Sequence, residues 1–212
     1  MSQDVNAMTM VKLVSALATA GLVAGLIIVG TYLFTLPMIE RNQAETLRRA
    51  AFKVLPGIEK IEPRMIEGGE LVAKPEGTKG GPGTIIYSGV DASGRAVGFA
   101  VPAEGAGFAD TIKVLYGFDP KKRAIVGMEV LDSRETPGLG DKIAFDPQFR
   151  ANFTQLAVEP GIVPVKRGNK TKPNEVDCIT GATISSKAVS SILDASTKHW
   201  LPAMTSTTSR GK

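Results

Sequence analysis

"DTIKVLYGFDPKKRAIVGMEVLD", Asp110 to Asp132, holds two apolar extended runs on either side of a polar turn. In the first run Ile112, Val114, Tyr116 and Phe118 occupy alternate positions, the period of a half-buried strand. "DPKKR" supplies the turn and "AIVGMEVLD" returns, which predicts a β-hairpin. Upstream, "TIIYSGV" and "AVGFAVP" flank "DASGR" in the same way and predict a second hairpin. Downstream, "DKIAFDPQFRANF" reads as a short helical stretch. A final helix is predicted from about Ser185 to Trp200, with Ala188, Ile192 and Leu193 facing inward. The class that follows is α+β, an antiparallel sheet with flanking helices.

Ahead of this domain the chain changes character. From Leu13 to Ile39 there is no charged residue, a run longer than the roughly 20 residues a helix needs to cross a bilayer. A signal peptide has an apolar core of only about 7 to 15 residues and a small-x-small cleavage site, so the run reads as an uncleaved transmembrane helix over 13–39. Residues 1–12 precede it. A stalk helix is predicted over 40–57, with Ala44, Leu47, Ala51 and Val54 at helical spacing and a stop at Pro56-Gly57. The folded domain is then 58–205, with 206–212 as a flexible tail and "KPEGTKGGPG", Lys74 to Gly83, as a mobile loop. Gly21 and Gly25 form a GxxxG spacing, which either admits a neighbouring helix or reflects a span rich in small residues. Lys12 before the span against Arg41, Arg48, Arg49 and Lys53 after it would place the C-terminal side in the cytoplasm, a rule that loses force when a long domain follows.

Composition narrows the chemistry. A net charge of +4, with no Lys/Arg run interleaved with aromatics, argues against a nucleic-acid partner. Cys178 is the single cysteine and His199 the single histidine, so no intrachain disulfide and no zinc or iron–sulfur ligand set can be assembled. Redox chemistry on this chain would need an organic cofactor.

Two stretches can carry chemistry. In "DCITGATISSKAV", Asp177 to Val189, small and hydroxyl-bearing residues crowd the start of the last helix. Thr180, Ser185 and Ser186 are N-cap types, and free N–H groups at the positive end of the helix dipole favour an anion such as a phosphate. Gly181 and Ala182 keep the backbone open, so the Thr183 hydroxyl is reachable; the alternative is that Thr183 merely fills a turn. In "SRETPGLGDKI", Ser133 to Ile143, Pro137, Gly138 and Gly140 make a tight turn that a flat ligand could approach, with Leu139 as an apolar surface. Glu135, Thr136 and Asp141 add polar groups; the alternative is a surface turn with a capped helix start at Asp141. "AEGAGFAD", Ala103 to Asp110, is glycine-rich but lacks a Rossmann or P-loop spacing.

In order along the chain, the apolar span, "AAFKVLPG", "EGAGFADTIKVLYGFD", "ETPGLGDKI" and "DCITGATISS" resemble the G subunit of the Rnf ion-translocating electron transport complex. They also resemble its relative, the C subunit of the sodium-pumping NADH:quinone reductase. The likeness covers nearly the whole chain and is most specific in "DCITGAT", which matches the Asp-x-x-Ser/Thr-Gly-Ala-Thr pattern of flavin acceptors. The compact length is more similar to the Rnf relative.

The resemblance implies FMN joined to the Thr183 hydroxyl as a phosphoester, a phosphorylated threonine installed by a dedicated flavin transferase. It implies that Asp177 serves recognition by the transferase, while Thr180, Gly181 and Ala182 complete the acceptor; Ser185 and Ser186, read from the residues as N-cap groups, are further candidates for binding the cofactor. It also implies that Glu135, Thr136, Gly138 and Leu139 lie against the isoalloxazine ring. The domain would stand on the periplasmic side of a bacterial inner membrane, with residues 1–12 in the cytoplasm. Other subunits of a membrane electron-transport complex would be its partners. The chain would be a redox subunit rather than an enzyme alone, since no general base or nucleophile constellation is visible. The rival reading is a cofactor-free, membrane-anchored scaffold in which both glycine-containing stretches are turns.

Overall fold

The computed structural model describes residues 2–67, 70–75 and 83–210, with side chains from 10 to 206 within those ranges. Residues 76–82, most of the loop read from "KPEGTKGGPG", lie outside the described residues, as do 211–212. The chain divides into two compact units, Met1–Glu45 and Thr46–Lys212.

The first unit is helical. One helix, α1, runs Ser2–Val54 where the sequence reading separates a span over 13–39 from a stalk helix over 40–57. Pro37 lies inside it without ending it. A proline costs a helix about 3 kcal/mol, and the Gln, Ala, Glu, Leu and Arg residues that follow are strong helix formers which outvote it. The helix is long and apolar enough to cross a membrane, with an 18-residue window of mean hydropathy 2.3 and none of that window buried. Past Val54 the chain turns at Pro56 and at Gly57, whose φ of +87° suits glycine.

The second unit is built on a seven-stranded antiparallel sheet. Its strands are β1 (Lys60–Glu67), β2 (Glu70–Ala73), β3 (Ile85–Val90), β4 (Ala96–Ala106), β5 (Thr111–Asp119), β6 (Ala124–Asp132) and β7 (Leu156–Ala157), in the order β2-β1-β3-β4-β5-β6-β7. Both hairpins read from the sequence are present, as β3–β4 and β5–β6, and β4 zips onto β5 with Val101 opposite Tyr116. The helical reading of "DKIAFDPQFRANF" resolves into a 3-10 turn, Gly140–Ala144, and a short helix α2, Pro147–Ala151, capped by Asp146 accepting from the Phe149 N–H at 2.8 Å. Two short parallel strands, β8 (Val163–Val165) and β9 (Glu175–Asp177), lead into the last helix α3, Thr183–Arg210.

The sheet is covered on both faces, which corrects the half-buried reading of β5. On one face Ile112, Val114, Tyr116 and Phe118 are fully buried among Val189, Leu193, Trp200 and Met204 of α3 and the edge-to-face pair Phe149–Phe153. On the other, Leu115 and Ala100 pack with Ala50, Ala51, Val54 and Leu55, the last turn of α1 and the residue after it. That second layer is possible because glycines flatten the sheet. A Cβ on Gly117 would lie 2.2 Å from the Val54 carbonyl oxygen, and one on Gly127 would lie 2.8 Å from the Val54 Cα.

The last helix is longer than expected. It begins at Thr183 and continues past Trp200 and Pro202 to Arg210, so 206–210 are helical rather than a flexible tail. Ala203 and Met204 are buried, and their packing carries the helix through the proline. Its core face also includes Ser186, Ser190 and Thr197, whose hydroxyls donate to the carbonyls of Ala182, Ser186 and Leu193 at 2.8–3.0 Å. Each buried hydroxyl is thereby satisfied by the helix itself.

Candidate functional site

Thr183 is the first residue of α3, and the turn ahead of it is held from below. Ser186 Oγ accepts the Ile179 N–H at 3.1 Å and donates to the Ala182 carbonyl at 2.8 Å, while the Ala182 N–H donates to the Ile179 carbonyl at 3.0 Å. Gly181, at φ +84°, reverses the chain between them. Thr183 is left exposed on the rim. Its hydroxyl donates only weakly, at 3.4 Å to the Ile179 carbonyl, so it is not tied up by a strong internal partner. The Ser186 N–H makes the first bond into the helix, to the Ala182 carbonyl at 2.9 Å, so the N–H groups of Thr183 to Ser185 lead the ladder with the positive end of the dipole.

Beside Thr183 is a cleft of about 350 Å³ lined by Phe108, Glu135, Thr136, Leu139, Gly140, Gly181, Ala182, Thr183, Ile184 and Ser185. Phe108, Leu139 and Ile184 are 65%, 51% and 59% exposed, and all three line this one cleft. An apolar mouth with a few convergent polar groups suits a flat heteroaromatic ligand.

Glu135 is the buried charge of this cleft. Its Oε1 accepts the N–H groups of Phe108 at 2.8 Å and Ala109 at 3.0 Å, and its Oε2 accepts the Ser185 hydroxyl. Burial opposes ionisation, but the bonds from Ser185 and from the backbone of Ala109, Phe108 and Asp110 outweigh it and hold the pKa below the usual carboxylate value. Two glycines make room: a Cβ on Gly107 would meet Glu135 Oε1 at 2.3 Å, and one on Gly140 would meet Oε2 at 2.5 Å. The glycine-rich loop therefore does build an anion nest, and the chain fills that nest with its own carboxylate.

Of the residues singled out from the sequence, Thr183, Gly181, Ala182, Ser185, Glu135, Thr136 and Leu139 converge on the cleft. Thr180 and Gly138 are exposed outside its lining, Gly138 setting the turn at φ +76°. Ser186 is fully buried beneath the turn that precedes Thr183 rather than facing the cleft. Asp177 lines a separate small recess with Asp146, Arg167 and Cys178. Its backbone is pinned to Asn152, and its carboxylate accepts the Lys170 N–H at 3.1 Å. Cys178 is a buried residue just past β9, where burial pushes its thiol pKa up. Gly140, read from the sequence only as part of a tight turn, also lines the cleft. Phe108 and Ile184 are lining residues the sequence reading did not single out, and the only signal for Phe108 was its place in a glycine-rich stretch without nucleotide-motif spacing.

Comparison with known proteins decides the family. Residues 107–198, which contain both walls of the cleft, match the model of the FMN-binding domain. The chain is 34% identical to the G subunit of the ion-translocating oxidoreductase complex of Methanosarcina acetivorans over 179 residues, 84% of this chain and 87% of that one. The chain belongs to this family of G subunits. A second member, the G subunit of the Na(+)-translocating ferredoxin:NAD(+) oxidoreductase complex of Acetobacterium woodii, is 32% identical over 72% of this chain and 73% of its own. Among solved structures, the C subunit of the Na(+)-translocating NADH-quinone reductase of Parabacteroides distasonis shares the fold. It superposes with a TM-score of 0.60 at 22% identity, covering 78% of this chain and 95% of that one. Membership of this family agrees with the resemblance read from "ETPGLGDKI" and "DCITGAT".

Proposed function

We propose that this chain is an electron-relay subunit of a membrane-bound, ion-translocating oxidoreductase complex and carries FMN through a phosphoester to Thr183. The observation that carries the reading is the position of one hydroxyl. Thr183 is exposed, weakly bonded and at the head of α3, on the rim of a cleft whose mouth is apolar. The leading N–H groups of the helix would hold a phosphodiester there, and Phe108, Leu139 and Ile184 would offer apolar contact to an isoalloxazine ring. Family membership and the FMN-binding domain match support the same cofactor.

When bound, the flavin supplies the electron-transfer chemistry, and the chain supplies attachment, orientation and electrostatics. Thr183 would hold the phosphate, with Gly181 and Ala182 giving the backbone room to approach it. Thr136 and Leu139 would bear on the ring side. Asp177 is proposed as the recognition point of the flavin transferase, since it is part of the acceptor pattern yet lies outside the cleft. α1 would anchor the chain in the cell inner membrane by a single pass. The flavin domain would face the periplasm, where a covalent bond retains a cofactor that could not readily be replaced. The other subunits of the complex are the proposed electron partners.

The test is direct. The chain is expressed with and without a flavin transferase of matching specificity, run on a denaturing gel and viewed under ultraviolet light. A fluorescent band is expected only with the transferase, and Thr183→Val is expected to remove it completely. A dark wild-type band from the transferase strain, or fluorescence that survives Thr183→Val, overturns the linkage and favours a cofactor-free scaffold.

A further inference from the structure

The residue that holds the cleft together is a carboxylate whose two oxygens both accept from protein donors. Glu135 is 5% exposed, and it joins three parts of the chain that are far apart in sequence. Through Oε1 it takes two N–H groups of the loop between β4 and β5, at Phe108 and Ala109, and through Oε2 it takes the Ser185 hydroxyl on the first turn of α3. The Phe108 loop and the first turn of α3, both of which line the cleft, are thus tied together by one side chain. Both glycines that crowd the carboxylate, Gly107 and Gly140, would clash with it if they carried a Cβ, so the fold is fitted around this group.

We propose that Glu135 is a positioning residue for the flavin: its carboxylate clasps the Phe108 loop to α3 and sets a fixed negative charge in the wall of the cleft, its bonds being made to the protein rather than to the cofactor. The inference rests on the FMN reading above. Its donors are all protein groups, so no lone pair need be turned toward a ligand to satisfy it. A fixed negative charge in a low-dielectric wall disfavours adding an electron nearby, which would lower the potential of a flavin held in this cleft.

Glu135→Gln and Glu135→Ala separate the two effects in the full chain. Gln keeps the shape and can still accept the loop N–H groups through its amide oxygen, while it loses the charge. In flavin-free protein, amide exchange at Phe108 and Ala109 is expected to accelerate about tenfold or more in Glu135→Ala and to change far less in Glu135→Gln. In flavin-loaded protein, Glu135→Gln is expected to retain covalent flavin and to shift the midpoint potential upward. Unchanged exchange in Glu135→Ala overturns the clasp, and an unchanged potential in flavin-loaded Glu135→Gln overturns the electrostatic role. Wild-type protein that takes up no flavin sinks the FMN reading and the electrostatic role with it, while the exchange measurement still decides the clasp.

Discussion

Tyr116 shows at the level of one side chain how the core answers to pH. Its ring is fully buried and its hydroxyl shares a hydrogen bond of 3.0 Å with Ser196 on α3. Burial raises its phenol pKa well above the ordinary value, and the Ser196 bond offsets only part of that rise. A raised folded-state pKa means a contribution to stability that is complete below the unfolded phenol pKa of about 10 and is lost as pH climbs above it. Denaturant midpoints are therefore expected to fall from about pH 10 upward, and Tyr116→Phe is expected to flatten part of that fall. At neutral pH the same substitution should cost about 0.5–1.5 kcal/mol for the lost hydrogen bond. An alkaline limb equally steep in both proteins would show that other groups control it. The same scale shows what a sequence can reveal about a site. Thr183 was singled out by the motif "DCITGAT", since residue chemistry alone suits a turn-filling hydroxyl equally well, and the structure sets it on the rim of the cleft. Phe108 was not singled out, since its role depends on Glu135, distant in sequence, turning the loop around it.

Among the elements, the glycines of the central strands decide how closely the last turn of α1, at Val54, packs on the sheet. Gly117 and Gly138 test two different reasons for glycine. Gly117 has no positive φ, but a Cβ there would sit 2.2 Å from the Val54 carbonyl, so Gly117→Ala must push the last turn of α1 away from the sheet. Gly138 has open space around its missing Cβ and a φ of +76°, so Gly138→Ala meets only backbone strain. Urea unfolding is expected to show about 1–3 kcal/mol lost for Gly117→Ala, at the upper end of that range because the obstacle is backbone. Gly138→Ala should lose about 1–2 kcal/mol, from the left-handed conformation alone. Equal losses with no change in the environment of α1 would remove the steric account. The hairpins were legible because alternation and turn residues coincide in β3–β4 and β5–β6. β1 and β2 were not: β1 carries Lys60, Glu62, Arg64 and Glu67, and β2 is only four residues long. α3 was read short because Pro202 follows Trp200, a termination signal that the burial of Ala203 and Met204 overrules.

For the whole molecule, the boundary that matters for folding lies inside a helix. α1 is continuous from Ser2 to Val54, yet the compact units divide at Glu45 and Thr46. Residues 46–55 therefore belong to the folded domain, and Ala50, Ala51, Val54 and Leu55 complete its second core layer over Leu115 and Ala100. The sequence reading, which began the domain at residue 58, left that layer out because an amphipathic turn directly after a membrane span looks like a stalk. Two truncations distinguish the boundaries. A fragment starting at Thr46 keeps the layer and is expected to be soluble and to melt in one cooperative step. A fragment starting at Pro56 exposes the face that Val54 and Leu55 cover, forfeiting about 3–6 kcal/mol of apolar burial for those two side chains. For a domain of this size that should lower the melting temperature by on the order of 10 °C and promote aggregation through the uncovered sheet face. Full-length chain should sediment with membranes while the Thr46 fragment remains in the supernatant, since the helical window of mean hydropathy 2.3 is what the truncation removes. Equal melting of the two fragments would mean that the last turn of α1 is a passive tether and that the glycines beneath it serve some other contact.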